Sequence, residues 1–530
     1  MAPLDARAAL AGRHLLLTGV TGFLGKVWLL WLLDRVPEIG RVTVIVRPRP
    51  GQSPADRLAK TLDTSPACRP LKARHGARFG AFLRDRVDVV RGNVERPLLG
   101  LDDDVVAALA GSVDVVVNVA GLTDFEAAPG KALATNTHGA VHAADLAAAL
   151  GARLVHVSTT YVAGDADGTV PETLEVGVSP NGTRFDPDAE IAALLHETAL
   201  PGVDARQLKA EQVKVAVARA RALGWPNVYT YTKGLAEHLV LGRDDVDVTV
   251  ARPAILECAR SFPFVGWNEG LNTSGPLSWL ISTAFRRLPA HPDHKFDVVP
   301  IDDAARALLL IVAAACVGQA ERVYQIASSD TNPLTFGRCI ELNGLGQRRW
   351  VRKNGGSAKD WLLAQLDPVP GHEDPGVFTV PRLTRWAQRL GDVARDFTRE
   401  DLPKPLRDAV GGAAEDRAKD VARTLGDAHR DLSRVEDMLR LYKPFIHDKD
   451  YAFRTDRTRA LTTALPEDQR AELGFDLRDL DWRHYWVDVE YPGLQTWCIP
   501  LIHGETAPVD RPSDPPLSLA ADPIRTAVAS

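Results

Sequence analysis

Residues 226–240, PNVYTYTKGLAEHLV, hold two tyrosines and a lysine within one stretch of helix-forming sequence that opens after Pro226. Residues four apart share a helical face, whereas residues two apart point to nearly opposite sides. Tyr229 and Lys233 therefore line up, and Tyr231 faces elsewhere with a packing role. A phenol near pKa 10 releases its proton slowly at neutral pH, and a neighbouring ammonium favours the phenolate. On that chemistry Tyr229 is a proton donor and Lys233 its tuner. Ordinary helices also carry Tyr-x-x-x-Lys, so the meaning of the pair depends on its company.

Part of that company is VHVSTTYVAG, a strand that ends in the hydroxyls of Ser158, Thr159 and Thr160. A hydroxyl there can hold a carbonyl oxygen beside the tyrosine and polarise it as negative charge develops. Counting back from Gly164 selects Thr159 as the catalytic hydroxyl, with Ser158 second. Threonines at strand ends are common without any such role.

The other part is LLLTGVTGFLGK, which places Gly19, Gly22 and Gly25 directly after a strand and at the start of a helix. Glycines there permit a tight turn and let backbone amides and a helix N-terminus approach a pyrophosphate. About twenty residues on, where an acidic residue would take the adenosine ribose of NAD, the chain reads RVTVIVRPRP. Arg47 and Arg49 can pair with a 2′-phosphate, so NADP(H) is the preferred reading over two solvated arginines. Asn93, in VRGNV, would meet the adenine edge or serve as a turn residue. With a nicotinamide in place, Lys233 gains a second task as ribose ligand, and the oxidised ring further favours the phenolate.

Positioning these groups requires a parallel sheet. Short β-branched runs alternate with Ala/Leu-rich segments through the first three hundred residues: HLLLTG, RVTVIVRP, VDVVRGNV, VDVVVNVA, RLVHVSTTYV, VDVTVARPAIL and RVYQIASS. Most are nearly continuous apolar runs, as expected when helices cover both faces of a sheet. The expected fold is α/β, a doubly wound parallel sheet over residues 1–335 with a smaller, mainly helical C-terminal domain over 336–505. The tail 506–530, rich in Pro, Asp and Ser, is expected to be disordered. Two excursions, about 165–225 and 256–296, leave from the C-terminal ends of strands and are candidate substrate walls.

The ordered set TGVTGFLGK, GNVERPLLGL, VHVSTTYVAG, GWPNVYTYTKGLAE, ARPAI, DVVPIDDAARALL and VYQIASSDTNPLTF resembles the fatty acyl-CoA reductases. These belong to the extended short-chain dehydrogenase/reductase superfamily, whose core is a Rossmann fold. The C-terminal LYKPFIHDKDYAFRTDRTRALTTALPEDQRAELGFDLRDLDWRHYWVDVEYPGL is similar to the small domain of the alcohol-forming members, and the resemblance covers roughly residues 12–500. It implies catalytic roles for Tyr229, Lys233 and Thr159, with Ser158 second, and places Asn136 of ATNTHGA where an asparagine helps build the site. It implies NADPH contacts at Gly19, Thr21, Gly22, Phe23, Leu24 and Gly25 in the turn. Further contacts are expected at Arg47, Arg49, Asn93, Val94, Ala120 and Lys233. The chain departs from the family in Gly92-Asn93, usually Gly-Asp, and in Tyr231, usually Phe.

The activity implied is NADPH-dependent reduction of long-chain acyl-CoA, or of acyl carried on acyl carrier protein, to a fatty aldehyde and on to a primary alcohol. One alternative stops at the aldehyde. A nucleotide-sugar enzyme of the same superfamily is disfavoured by the apolar excursions, and a non-catalytic NADP-binding scaffold by the intact Tyr229, Lys233 and Thr159.

Composition removes other classes. With 530 residues, 45% apolar, and 69 acidic against 63 basic residues mixed along the chain, a concentrated positive field for nucleic acid is missing. Cys68, Cys258, Cys316, Cys339 and Cys498 fall in no metal or redox spacing and suit reduced thiols in a cytoplasm. The longest apolar run, ALLLIVAAACV at 307–317, is too short to cross a bilayer. HPDH, with His291, Asp293 and His294, reads as a solvated loop and no metal is expected. Three features stay open: Phe264 and Trp267 of PFVGW as acyl wall or core, VWLLWLL at 27–33 as a helix buried between the sheet and the C-terminal domain or as a surface touching membrane or acyl chain, and RRWVRK at 348–353 as a solvated run or an anion-binding one. Oligomeric state is not legible.

Overall fold

The computed structural model describes residues 2–271, 274–282, 287–288, 290–371 and 440–519. Seven strands form its central sheet: β1 His14–Thr18, β2 Arg41–Val46, β3 Val87–Arg91, β4 Val115–Asn118, β5 Arg153–Val157, β6 Val248–Pro253 and β7 Val323–Ile326. They are the seven expected from the apolar runs. All neighbours pair in parallel, in the order β3-β2-β1-β4-β5-β6-β7. The order reverses between β1 and β4, which opens a crevice at the carboxyl ends of those two strands.

Alternate residues of each strand feed opposite faces, because successive side chains point to opposite sides of a sheet. Leu15 and Leu17 join one cluster with α1 (Phe23–Arg35), α2 (Pro54–Thr64) and α5 (Ile301–Cys316), whereas Leu16 joins the other with α3 (His138–Leu150) and part of α4 (Val228–Leu241). The lack of a polar face on α1 follows from its place between the sheet and α5, the helix that covers it where the C-terminal domain was expected: residues 27–33 are at most 1% exposed. Trp31 meets the edge of Phe262 and lies under the guanidinium groups of Arg35 and Arg306. The alternative of a lipid- or acyl-touching surface at 27–33 is thereby overturned. The run 307–317 falls within and just after α5, and all five cysteines are buried free thiols. Among the described residues no helix is long and apolar enough to cross a membrane.

Sequence beyond residue 336 wraps the sheet through α6 (Phe336–Asn354) and the elements after 440. Tyr451–Phe453 pairs in parallel with Gly168–Val170 from the first excursion. Thr458 Oγ1 donates to the Gln325 carbonyl of β7 at 2.7 Å, and the Glu490 carboxylate accepts from the Cys258 amide at 3.0 Å. The cluster that contains Leu15 and Val27 also contains Phe453, Phe475 and Trp486. Within the tail expected to be disordered, the amide and hydroxyl of Ser513 donate to Asp63 on α2, and Arg69 pairs with Asp510 at 2.6 Å. That docking satisfies a carboxylate which is only 2% exposed. Residues 520–530 lie outside the described residues.

Candidate active site

A cavity of about 690 Å³ occupies the crevice at the β1/β4 switch point. Its floor is the glycine turn. Gly19 sits at φ 74°, and a Cβ there would fall 2.7 Å from the Ala120 amide nitrogen. A Cβ on Gly25 would fall 2.4 Å from the Gly19 carbonyl oxygen. Side chains at either position would push the turn off the start of α1 or off the loop after β4. Gly22 caps α1, so the helix's free amides and positive end face the cavity, an arrangement that fits a dinucleotide pyrophosphate. Phe23 and Leu24 line the cavity with the three glycines, whereas Thr21 does not.

Thr21 instead meets a residue that the sequence reading missed. Arg57, in the first turns of α2, reaches to 3.5 Å of Thr21 Oγ1 and donates to the Arg47 carbonyl at 2.6 Å. With Arg47 and Arg49 it forms a basic cluster at the end of β2. Burial first, then the charges of Arg49 and Arg47, draw its pKa down. The local signal was present: Ser53 caps α2 by accepting from the Asp56 amide at 3.0 Å, and Pro54 fixes the helix start. Arg57 is thus set one turn in from the tip of β2.

Asn93, Val94 and Ala120, like Thr21, Arg47 and Arg49, do not line the cavity but shape its surroundings. Asn93 Oδ1 accepts from the Glu95 amide at 3.2 Å and its backbone N–H donates to the Leu99 carbonyl at 2.6 Å, which shapes the turn after β3. The Val94 carbonyl lies 2.9 Å from His142 Nδ1, and the Ala120 amide donates to Thr18 Oγ1 at 3.2 Å. Arg47 is exposed and also stands 3.6 Å from Glu95.

The opposite side of the cavity carries Tyr229, Lys233 and Thr159. Asn227 starts α4 by accepting from the Thr230 amide at 2.9 Å, after which Tyr229 and Lys233 both point into the cavity. Tyr231 turns away, buried against Trp225 with its hydroxyl on the Glu190 carboxylate. Burial pushes the Tyr229 phenol up to about 12, while the Thr159 hydroxyl acts to lower it. Lys233 Nζ donates to the Val157 carbonyl at 2.6 Å and lies 3.3 Å from His156 Nε2. Its burial brings the ammonium down to about 8, against an opposing pull from Glu237. The influences on the Tyr229 phenol are thus burial and the Thr159 hydroxyl, while Lys233 Nζ is hydrogen-bonded to β5.

Thr159 caps the short turn after β5, its Oγ1 accepting from the Tyr161 amide at 3.3 Å. Ser158 also lines the cavity, and its buried Oγ has no hydrogen-bond partner among the described residues. Thr160 is fully buried and does not line it. Asn136 braces the site from behind the cavity wall. Its Oδ1 accepts from the Leu122 amide at 2.7 Å and its Nδ2 donates to Thr232 Oγ1 at 3.1 Å, which ties the loop after β4 to α4.

The upper wall is aromatic. Phe125, from the loop after β4, stacks on Tyr229 with centroids 5.9 Å apart and contacts Tyr442 and Phe445, each at 5.7 Å. Residues 440–446 are helical and come from the C-terminal third of the chain. The second excursion contributes Glu269 and Leu271. Phe264 and Trp267 serve as packing instead: Trp267 lies on Phe23 at 5.4 Å and Phe264 on Trp497 at 6.0 Å. In RRWVRK, Arg348 pairs with Asp367 and Arg349 with Asp488. His291 stacks on His294, and among the described residues no group of three or more His, Cys, Asp or Glu is placed to hold a metal ion.

Residues 17–308 match the family described as Male sterility protein, an NAD-binding domain. The chloroplastic fatty acyl-CoA reductase 2 of Arabidopsis thaliana is 26% identical over 507 residues, covering 92% of this chain and 78% of its own length. The alcohol-forming fatty acyl-CoA reductase of Simmondsia chinensis is 30% identical over 372 residues, covering 68% and 74%. Among solved structures, the reductase domain of a non-ribosomal peptide synthetase from Mycobacterium tuberculosis is 20% identical, covers 94% of this chain and 95% of that one, and superposes with a TM-score of 0.46.

Proposed function

This chain belongs to the fatty acyl-CoA reductase family, and we propose that it reduces long-chain acyl-CoA with NADPH through the aldehyde to the primary alcohol, releasing CoA. The observation that carries the proposal is one cavity in which the glycine turn, Thr159, Tyr229 and Lys233 meet a wall of Phe125, Tyr442 and Phe445. An apolar wall beside the acid–base groups suits an alkyl chain, for which each buried CH₂ contributes about 0.8 kcal/mol. The Arg47, Arg49 and Arg57 cluster supports NADPH over NADH, since guanidinium groups match a phosphate and β2 ends in no acidic residue of its own, Glu95 being the carboxylate that stands beside Arg47.

When bound, NADPH supplies the hydride. The Thr159 hydroxyl, with Ser158 beside it, is placed to donate to the substrate carbonyl oxygen and stabilise its developing charge. Tyr229, held near 12, keeps its proton at neutral pH and gives it up once that oxygen has become basic. Lys233 presents its ammonium to the cavity and serves as ribose ligand. With the thioester, the product of the first cycle is a hemithioacetal, whose collapse breaks the C–S bond and expels the CoA thiol, leaving aldehyde. A second cycle on the aldehyde yields alcohol, and the balance is two NADPH consumed per CoA released.

Incubation with NADPH and acyl-CoAs of graded length, with products identified by mass, tests the reading. Two NADPH per CoA supports the alcohol and one supports the aldehyde. No NADPH oxidation with any acyl thioester, CoA or carrier protein, overturns it.

A further inference from the structure

Behind Lys233 a row of polar side chains crosses the sheet. Thr18, Asn118 and His156 occupy matching register positions on β1, β4 and β5 and are at most 1% exposed. Thr18 Oγ1 lies 2.6 Å from Asn118 Oδ1, Asn118 Nδ2 lies 3.1 Å from His156 Nδ1, and His156 Nε2 lies 3.3 Å from Lys233 Nζ. The far end is anchored by the Ala120 amide, which donates to Thr18 Oγ1 at 3.2 Å. Strands this apolar have no packing need for three polar side chains in a line, and their burial is tolerated because each is hydrogen-bonded. At its other end the row passes from His156 to Lys233 on α4.

We propose that His156 is a positioning residue: its Nε2 holds the Lys233 side chain at the cavity, and Asn118 and Thr18 set which ring nitrogen carries the proton. The proposal rests on the reading of Lys233 as part of the reductase site. A neutral imidazole has one donor and one acceptor nitrogen. With Asn118 Nδ2 donating to Nδ1, the proton sits on Nε2 and is received by Lys233 as a neutral amine. With the amide reversed, Oδ1 accepts from Nδ1–H, and Nε2 accepts from Lys233 as an ammonium. Thr18 serves both arrangements, since a hydroxyl can donate to Oδ1 or accept from Nδ2. The row therefore has one self-consistent arrangement for each charge state of the lysine.

Burial first, and the Lys233 charge second, keep His156 neutral by holding its pKa well below the usual value. The other groups that face Lys233 are Tyr229 and Glu237 on α4 and, through Glu237, Arg252 on β6 at 3.0 Å. Across the cavity lies Glu269, held by Lys26. With the ammonium already brought to about 8 by burial, loss of one acceptor changes its charge within the working range.

The test is NADPH binding, followed by the cofactor's fluorescence across roughly pH 6 to 10. Wild-type affinity is expected to fall as pH rises through about 8, and Lys233→Met to lose that midpoint. His156→Leu is expected to move the midpoint down by about one unit, a tenfold change in acidity. His156→Gln, whose amide oxygen accepts, is expected to keep it. Should His156→Leu not fold, Asn118→Leu leaves His156 in place with its tautomer free and is expected to shift the midpoint the same way. Wild-type midpoints in whichever leucine variant folds overturn the proposal, and failure of both to fold overturns it by assigning the row to stability alone. Because no acyl substrate enters this assay, a failure of acyl-CoA reduction counts against the proposed function and leaves the midpoints to decide the role of His156.

Discussion

Lys26 Nζ lies 2.6 and 2.7 Å from the two carboxylate oxygens of Glu269, a pair that joins the first turn of α1 to the far wall of the cavity. The lysine side chain is 3% exposed and the glutamate 38%. Glu269→Gln leaves a buried ammonium without its carboxylate and is expected to cost about 2 kcal/mol in urea unfolding. Replacing both partners, Lys26→Met with Glu269→Leu, is expected to recover most of that loss. A double variant as unstable as the sum of the single ones removes the pair from the account of the wall.

Tyr229→Phe keeps the ring against Phe125 and removes the proton. Turnover of acyl-CoA is expected to fall by at least about a hundredfold, with NADPH affinity unchanged within about twofold. Tyr231→Phe deletes only a hydroxyl that meets Glu190 and is expected to keep most activity. Loss of turnover from that second change alone reverses the assignment of the two tyrosines.

Arg57→Ala should separate the two nicotinamide nucleotides. A hydrogen bond to a charged group contributes about 1.5–3 kcal/mol, so NADPH is expected to bind roughly ten- to a hundredfold more weakly. NADH binding is expected to stay constant. Equal weakening of both, read by titration, would place Arg57 in the fold of the turn and not on a phosphate.

The pH dependence has opposite signs for turnover and for stability. The ammonium of Lys233 is present below about 8 and lost above it, while Tyr229 near 12 stays protonated, so kcat/KM is expected to fall on the alkaline side of about 8. The same lysine is lowered from 10.5 in the folded protein, so the unfolded chain binds its proton more tightly. Between those two values its contribution to folding stability rises with pH. Buffer-matched rate and unfolding series on wild type and Lys233→Met isolate both effects.

Local patterns were legible. Apolar runs gave the seven strands because both sheet faces are covered, and the glycines, Tyr229 and Lys233 were readable from spacing along one element. What escaped depends on segments far apart in sequence. Arg57 reaches the glycine turn only because α2 folds back along β2, and Phe125 meets Tyr229 only because β4 lies beside β5. The row through His156 needs three strands in register. Aromatic composition drew attention to Phe264 and Trp267, yet composition does not say which side of a loop faces a cavity: Trp267 is buried in the core and Phe264 packs half-buried against it. For the tail, the Asp63 carboxylate on α2 supplied a partner that Pro/Ser-rich sequence does not announce.

The parallel pairing of Tyr451–Phe453 with Gly168–Val170 fastens the late part of the chain to the early part. Tyr442 and Phe445, which meet Phe125 over the cavity, lie a few residues before that strand. Two backbones far apart in sequence are thus stitched together beside the aromatic wall, and a change that frays this short pairing is expected to be felt there before it reaches the glycine turn.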